Sequence, residues 1–286
     1  MIIAEVTASF EECRLDKFLN KSQNLPMSFV HKIIRKGRVY INGSPCTTIS
    51  MRVFSGYKIE IKQNFKKEPD PVLTPKKILS NSEVLNFKNL IIFENDDFLA
   101  INKPFGIAVQ GGTKVETSLD EIVGAIYEEA SIVHRIDKHT SGVLIFAKNK
   151  VCARHLAELF RLKGIEKTYY AVVTGIIEKD SFEVNEPLFD KEKDGYLDAL
   201  TKFEVVKRDV NKQLTLVKVN PITGRKHQIR RHLMSIGFPV FGDIRYSVIK
   251  DKTRQLNLFA QSAKFENHLI EIKKFPKFFE MEVNLK

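Results

Sequence analysis

The chain has 286 residues, 43% of them hydrophobic, enough for one sizeable core and a small accessory domain. No run of 18 apolar residues occurs, which excludes a membrane-spanning helix. The formal charge is +11 and its excess sits early, with ten bases against five acids in residues 1–62 but 31 against 27 in residues 89–286. A cationic surface of this kind meets phosphates. Three scattered cysteines (Cys13, Cys46, Cys152) fit neither a disulfide framework nor a zinc site and point to a reducing cytoplasm. The N-terminal stretch carries acids early and does not read as a signal or transit peptide.

The first predicted element is an amphipathic helix in which Leu15, Phe18 and Leu19 share a face. A second helix starts near Pro26, buries Val30, Ile33 and Ile34, and stops at Gly37. Asn42-Gly43 then marks a tight hairpin, because both turn positions need positive φ, and Tyr57 to Ile61 reads as a further strand. This helix–helix–hairpin order, with the RLDKFL start and the KxGRVxxNG turn, resembles the S4 RNA-binding module. Taken singly, Lys32, Arg35, Lys36 and Arg38 are a solvated face; within the module pattern they read as phosphate contacts.

Residues 63–88 carry Lys66, Lys67, Pro69, Pro71 and Pro75 with few large apolar side chains and read as a semi-extended linker. The spacing then predicts a hairpin from Leu90–Phe93 and Phe98–Ile101 and a buried strand from Gly142 to Ala147. It continues with a helix from Val151 to Leu162, strands at Tyr169–Thr174 and Leu214–Val219, and a helix from about Lys226 to Gly237. The expected fold is α+β, a mixed and largely antiparallel sheet in residues 89–286 behind an S4-like domain in residues 1–62.

One polar cluster lies between apolar Ile132-Val133 and the strand at Gly142: His134-Arg-Ile-Asp-Lys-His-Thr-Ser. A loop held between core strands is rigid, which suits a precisely aimed side chain. Its single acid, Asp137, stands among cations and so stays ionised, as a nucleophile or base requires. Spacing alone favours a simpler role, a turn cap at Thr140-Ser141-Gly142.

HRIDxxTSG resembles the HRLDxxTSG signature of the RluA-type pseudouridine synthase family. Asn102-Lys-Pro-Phe-Gly-Ile-Ala-Val-Gln-Gly-Gly is similar to the family's NKPxGxxVHGG segment, departing at Gln110. Lys167-Thr-Tyr-Tyr-Ala-Val-Val-Thr-Gly is similar to KxYxAxVxG, and Thr223-Gly-Arg-Lys-His-Gln-Ile-Arg-Arg-His to TGRxHQIRxH. The resemblance implies an isomerase that breaks the N1–C1′ bond of uridine, turns the uracil and rejoins it through C5, with neither metal nor cofactor. It implies that Asp137 starts the reaction, with attack on sugar, attack on base and abstraction of a ribose proton all open. Arg225 would pair with Asp137, Tyr169 would pack against the uracil with a part in proton transfer open, and Ile229 would contact the base or serve only as helix core. Arg135 would fill the space left by a flipped base or anchor a phosphate. His134, His227 and His232 lack ligand partners at metal spacing and read as structural.

The expected partner is structured RNA, 23S (large-subunit) ribosomal RNA or an assembly intermediate, met by a monomer without a membrane. Transfer RNA and a non-catalytic S4-type RNA-binding protein are the alternatives.

Overall fold

The computed structural model describes residues 2–62, 79–111, 118–191, 193–247, 254–277 and 279. The chain divides into two compact units, residues 1–76 and 77–286.

The first unit contains β1 (Ile2–Glu5), β2 (Cys13–Arg14), α1 (Leu15–Ser22), α2 (Met27–Arg35), β3 (Val39–Ile41), β4 (Ser44–Cys46), β5 (Arg52–Val53) and β6 (Lys58–Ile61). Four of the strands form an antiparallel sheet in the order β1-β6-β3-β4. Asn42 and Gly43 take φ of 48° and 82°, the two positive values the hairpin turn demands. Leu15, Phe18, Leu19, Val30, Ile33 and Ile34 are fully buried against Val39, Ile59 and Ile61, so both predicted apolar stripes face one core. Asp16 ties the two helices together. Its carboxylate accepts from Arg14 Nε and Nη2 at 3.0 and 2.8 Å and lies 3.2 Å from Nε2 of His31. That explains the acid in the RLDKFL start.

The linker residues Lys66, Lys67, Pro69, Pro71 and Pro75 lie outside the described residues. The end of the predicted linker needs correction: residues Asn81–Lys88 form a helix, α3, opened by a capping box between Ser80 and Glu83. Its Phe87 is buried in the second unit, which therefore begins before residue 89. A polar composition hid a helix whose one anchoring residue is a single aromatic.

The second unit continues with β7 (Ile91–Glu94), β8 (Phe98–Lys103), α4 (Leu119–Ile126), β9 (Ser131–Ile132), β10 (Ser141–Ala147), α5 (Lys150–Arg161) and β11 (Glu166–Thr174). After these come β12 (Ser181–Asn185), β13 (Leu188–Asp190), β14 (Gly195–Leu197), β15 (Leu200–Asp209), β16 (Leu214–Pro221), α6 (Gln228–Ser235), β17 (Leu258–Phe265) and β18 (His268–Glu271). One ten-stranded sheet runs β12-β15-β16-β11-β17-β10-β8-β7, with β9 added on β10 and β18 on β17. The described pairs are antiparallel except β10 with β17, so the expected α+β class holds.

Strand β10 is buried along its whole length because both faces are covered. Val143, Ile145 and Ala147 pack under Cys152 and Leu156 of α5, whereas Leu144 and Phe146 pack under Leu119 and Val123 of α4. Gly142 opens this strand at φ 112°, where a Cβ would lie 2.1 Å from the Ala260 carbonyl oxygen. Only glycine lets β10 approach β17 this closely, and the loop ahead of it is fixed by that junction. No helix of the described residues is long and apolar enough to cross a membrane.

Candidate active site

Asp137 lies in the loop between β9 and β10. Two contacts of the backbone hold that loop: the carbonyl of Asp137 accepts from Thr140 N–H at 3.0 Å, and the carbonyl of Lys138 accepts from Gly106 N–H at 3.0 Å. A third hold comes from Lys103, which is 0% exposed. Its ammonium donates to the carbonyls of Pro104, Ile107 and Lys138 at 2.8, 2.9 and 3.0 Å. Burial pulls the Lys103 ammonium down to about 8, opposed by the charge of Asp137. The NKP segment thus pins the loop around Asp137 through a buried cation, a role that the motif did not assign.

The carboxylate itself is held by Arg230. Arg230 Nη1 donates to Asp137 Oδ2 at 3.1 Å, while its Nε and Nη2 grip Asp243 at 2.7 and 2.8 Å. Asp243 is buried and also accepts from the backbone N–H groups of Arg245 and Tyr246. Burial would raise the Asp243 carboxyl, but Arg230 and those two N–H groups outweigh it and hold it below the usual carboxylate range. Burial likewise opposes the charge on Arg230, and the two carboxylates reinforce it.

The expected pairing of Arg225 with Asp137 is therefore corrected. Arg225 Nε donates to the carbonyl of Asp198 at 2.9 Å, and its backbone N–H donates to Gln228 Oε1 at 2.9 Å. The TGRxHQIR segment carries two arginines five residues apart. The first lies in the loop ahead of α6 and turns toward the β14–β15 connection; the second projects from the helix toward Asp137. Gln228 explains the rest of the segment. It accepts from Thr223 Oγ1 at 2.6 Å and donates to Leu200 O and Thr201 Oγ1 at 3.0 and 2.9 Å, so all its polar atoms lock the turn.

Asp137 stands in the wall of a cavity of about 500 Å³, lined also by Arg135, Phe160, Lys167, Tyr169 and Ile229. Oδ1 accepts no hydrogen bond among the described residues; its nearest cation-forming neighbour is His227, with Nε2 at 3.6 Å. Tyr169 and Ile229 pack in the same apolar cluster, so Ile229 is both a core residue and part of the cavity wall. Burial and then the charge of Asp137 push the Tyr169 phenol up, which keeps it protonated as a packing surface and O–H donor. Arg135 is exposed at the rim, and no described residue holds its guanidinium.

Two of the three histidines read as structural are so. His134 Nε2 accepts from Ile145 N–H at 2.9 Å and its ring stacks on Phe160 at 4.6 Å; burial and then Lys167 bring it down to about 3, leaving it neutral. His232 bridges Thr201 Oγ1 and the Glu186 carbonyl at 2.9 and 3.1 Å. His227 departs from that expectation, because it faces Asp137. Among the described residues, no three His, Cys, Asp or Glu side chains are grouped to hold a metal ion.

In the first unit, Lys32, Arg35, Lys36 and Arg38 are all exposed, at the end of α2 and just beyond it.

A carboxylate held on one oxygen by a buried arginine thus stands in the wall of a cavity of about 500 Å³. Sequence comparison gives the family. The profile of the RNA pseudouridylate synthase family matches residues 97–235, and that of the S4 domain matches residues 13–59. Ribosomal large subunit pseudouridine synthase C of Rickettsia bellii (strain RML369-C) is 35% identical over 293 residues, covering 95% of this chain and 93% of that protein. The protein of the same name from Vibrio vulnificus (strain CMCP6) is 34% identical over 255 residues, covering 85% of this chain and 79% of that protein. In fold, the chain is similar to Human RNA Pseudouridylate Synthase Domain Containing 4, with a TM-score of 0.59 and 23% identity over 69% of this chain and 94% of that one. This chain belongs to the RNA pseudouridine synthase family and is an RNA isomerase with an S4 domain ahead of its synthase domain.

Proposed function

We propose that the protein isomerises uridines of large-subunit ribosomal RNA and that Asp137 starts the reaction. One observation carries the second part: Arg230 occupies Oδ2 of Asp137, Oδ1 accepts no hydrogen bond among the described residues, and Asp137 lines a cavity of about 500 Å³ together with Tyr169 and Ile229. A uridine turned out of its stack fits there with its uracil between Tyr169 and Ile229 and its sugar at Oδ1. Turning it out costs roughly a few kcal/mol, and the unattached guanidinium of Arg135 at the rim offsets this by stacking in the vacated space. Arg230 is a positioning residue, since its guanidinium nitrogens are spent on Asp137 and Asp243. Arg225 lines the mouth of the cavity and meets the RNA there. Lys32, Arg35, Lys36 and Arg38 supply phosphate contacts from the S4 domain. The choice of RNA rests on the relatives, which carry the name large subunit synthase C at about one-third identity across most of their length.

The test is to incubate the protein with total RNA from a strain lacking it and map carbodiimide-dependent reverse-transcription stops. New stops in large-subunit RNA that vanish with Asp137→Ala are expected. Stops confined to transfer RNA would overturn the substrate, and stops that persist in Asp137→Ala would overturn the role of Asp137.

A further inference from the structure

The contacts around Asp137 close into a ring through side chains and one backbone N–H, and His227 is a member without an assigned role. Asp137 binds Arg230, Arg230 binds Asp243, and Asp243 Oδ1 accepts from Tyr246 N–H at 3.0 Å. Tyr246 Oη then lies 2.8 Å from Nδ1 of His227, whose Nε2 lies 3.6 Å from Asp137 Oδ1 and so returns to the start.

His227 is held in an unusual backbone state for this purpose. It takes φ 55° and ψ 28°, the left-handed region, at the residue before α6, and its side chain makes no cap bond to that helix. A non-glycine residue there is uncommon, and the contacts outside the helix supply a cause for it. The turn aims the imidazole at Asp137 on one side and Tyr246 on the other, with the Tyr246 ring edge-on at 5.6 Å and 76°.

One tautomer suits both neighbours. A carboxylate only accepts, so the nitrogen facing it, Nε2, carries the hydrogen. In a neutral ring Nδ1 is then an acceptor, and the Tyr246 hydroxyl donates to it. We infer that His227 is a second positioning residue for the isomerisation: its Nε2–H, held by Tyr246, orients the unoccupied oxygen of Asp137 toward the nucleoside. The inference rests on Asp137 being the starting carboxylate.

The spacing suits that role. At 3.6 Å the N–H attracts Oδ1 without the hydrogen bond that would occupy its lone pair, so direction is set while reactivity is kept. The charges around the ring keep it neutral. From its own helix end and the preceding loop come Arg230 and Lys226, from the 243–246 segment come Arg245 and the Tyr246 hydroxyl, and from the catalytic loop comes Asp137. Lys138 and Arg135 share with His227 and Asp137 a smaller cleft of about 270 Å³. Burial first, then the three cations, pull the imidazole down, against the pull of Asp137. Once protonated at acid pH, the imidazolium would close on Oδ1 as an ion pair and tie up the reacting atom.

The test compares wild type, His227→Ala, His227→Gln and Tyr246→Phe by tritium release from total RNA labelled at uridine C5, under single-turnover conditions across pH. This readout follows whichever RNA is modified, so an error in the ribosomal assignment leaves it intact; loss of all release in Asp137→Asn separately checks the carboxylate. His227→Ala is expected to lose on the order of 100-fold in rate with RNA affinity and melting temperature close to wild type. His227→Gln, whose amide can place an N–H near Nε2, recovers most of that loss, and Tyr246→Phe falls between. The acid limb of the rate profile moves to lower pH in His227→Gln, because no imidazolium forms. Unchanged rate in His227→Ala, a loss in affinity in place of rate, or parallel pH profiles in wild type and His227→Gln would each overturn the inference.

Discussion

Each unit of this protein holds a carboxylate between an arginine and a histidine, and the two sites are finished in opposite ways. Asp16 in the first unit has a side chain 5% exposed and spends both oxygens. Oδ1 takes Arg14 Nε and the Lys17 N–H, and Oδ2 takes Arg14 Nη2 and His31 Nε2 at 3.2 Å. Asp137 in the second unit is 25% exposed and spends one oxygen, on an arginine whose other arm is anchored by Asp243. Its histidine stops at 3.6 Å. The same three residue types make a helix–helix tie in one place and a half-held carboxylate at a cavity wall in the other. The difference is the number of hydrogen bonds left unmade, and whether the residue lines a cavity.

Exchanging each carboxylate for its isosteric amide tests this most directly. Asp137→Asn is expected to lower the rate on the order of 10⁴-fold with melting temperature close to wild type. A residual rate within tenfold of wild type would mean that this carboxylate does not do the chemistry.

Next in size is the pair of arginines. Arg230→Ala strands the buried Asp243, which removes about 3–5 kcal/mol of stability measured by denaturant melts, and lowers the rate on the order of 100-fold. Arg225→Ala should leave melting nearly unchanged and lower the rate less than about tenfold, since one carbonyl contact is lost. The reverse order would show that the pairing in solution is the one the motif first suggested.

Asp16→Asn should destabilise the first unit by about 1–3 kcal/mol while the rate on bound RNA stays the same. The Asp16 carboxyl is raised by burial, but its bonds to Arg14, His31 and the Lys17 N–H outweigh that and leave it below its unfolded value of 3.8. Its stabilisation is thus fully present above pH 3.8 and fades as pH falls through the lower folded value. Wild type and Asp16→Asn should converge in stability below that range; a constant gap would remove the ion-pair account.

The smallest effect belongs to the exposed bases of α2. Arg35→Ala or Lys36→Ala should reduce the slope of log affinity against log salt by about 0.7 each on single-stranded RNA, uniformly across sequences. An unchanged slope would remove that side chain from the RNA face.

Much of this was legible in one sequence because much of it is local. Apolar periodicity placed α1, α2, α5 and α6, Asn42-Gly43 placed the hairpin, and the unbroken apolar run from Gly142 placed a strand covered on both faces. The motif residues Asp137, Tyr169 and Ile229 do meet around one cavity. Helix α3 escaped because its eight residues bury only Phe87 and present little periodicity. Lys103 and Asp243 escaped because a lysine or aspartate beside a proline or glycine carries no mark of being buried; capping one with carbonyls and clamping the other with Arg230 are events of folding.

By itself, then, the sequence determined α1, α2, α5, α6, the Asn42-Gly43 hairpin and the buried strand β10, since hydrogen-bonding turns and apolar stripes depend on near neighbours. The tertiary structure decided which arginine reaches Asp137 across 93 residues of chain, which of its oxygens stays open, and that His227 faces it. Those outcomes depend on the directions in which packed elements project their side chains. Two arginines five residues apart are equivalent on paper, and only the start of a helix between them sends one toward the carboxylate and the other away.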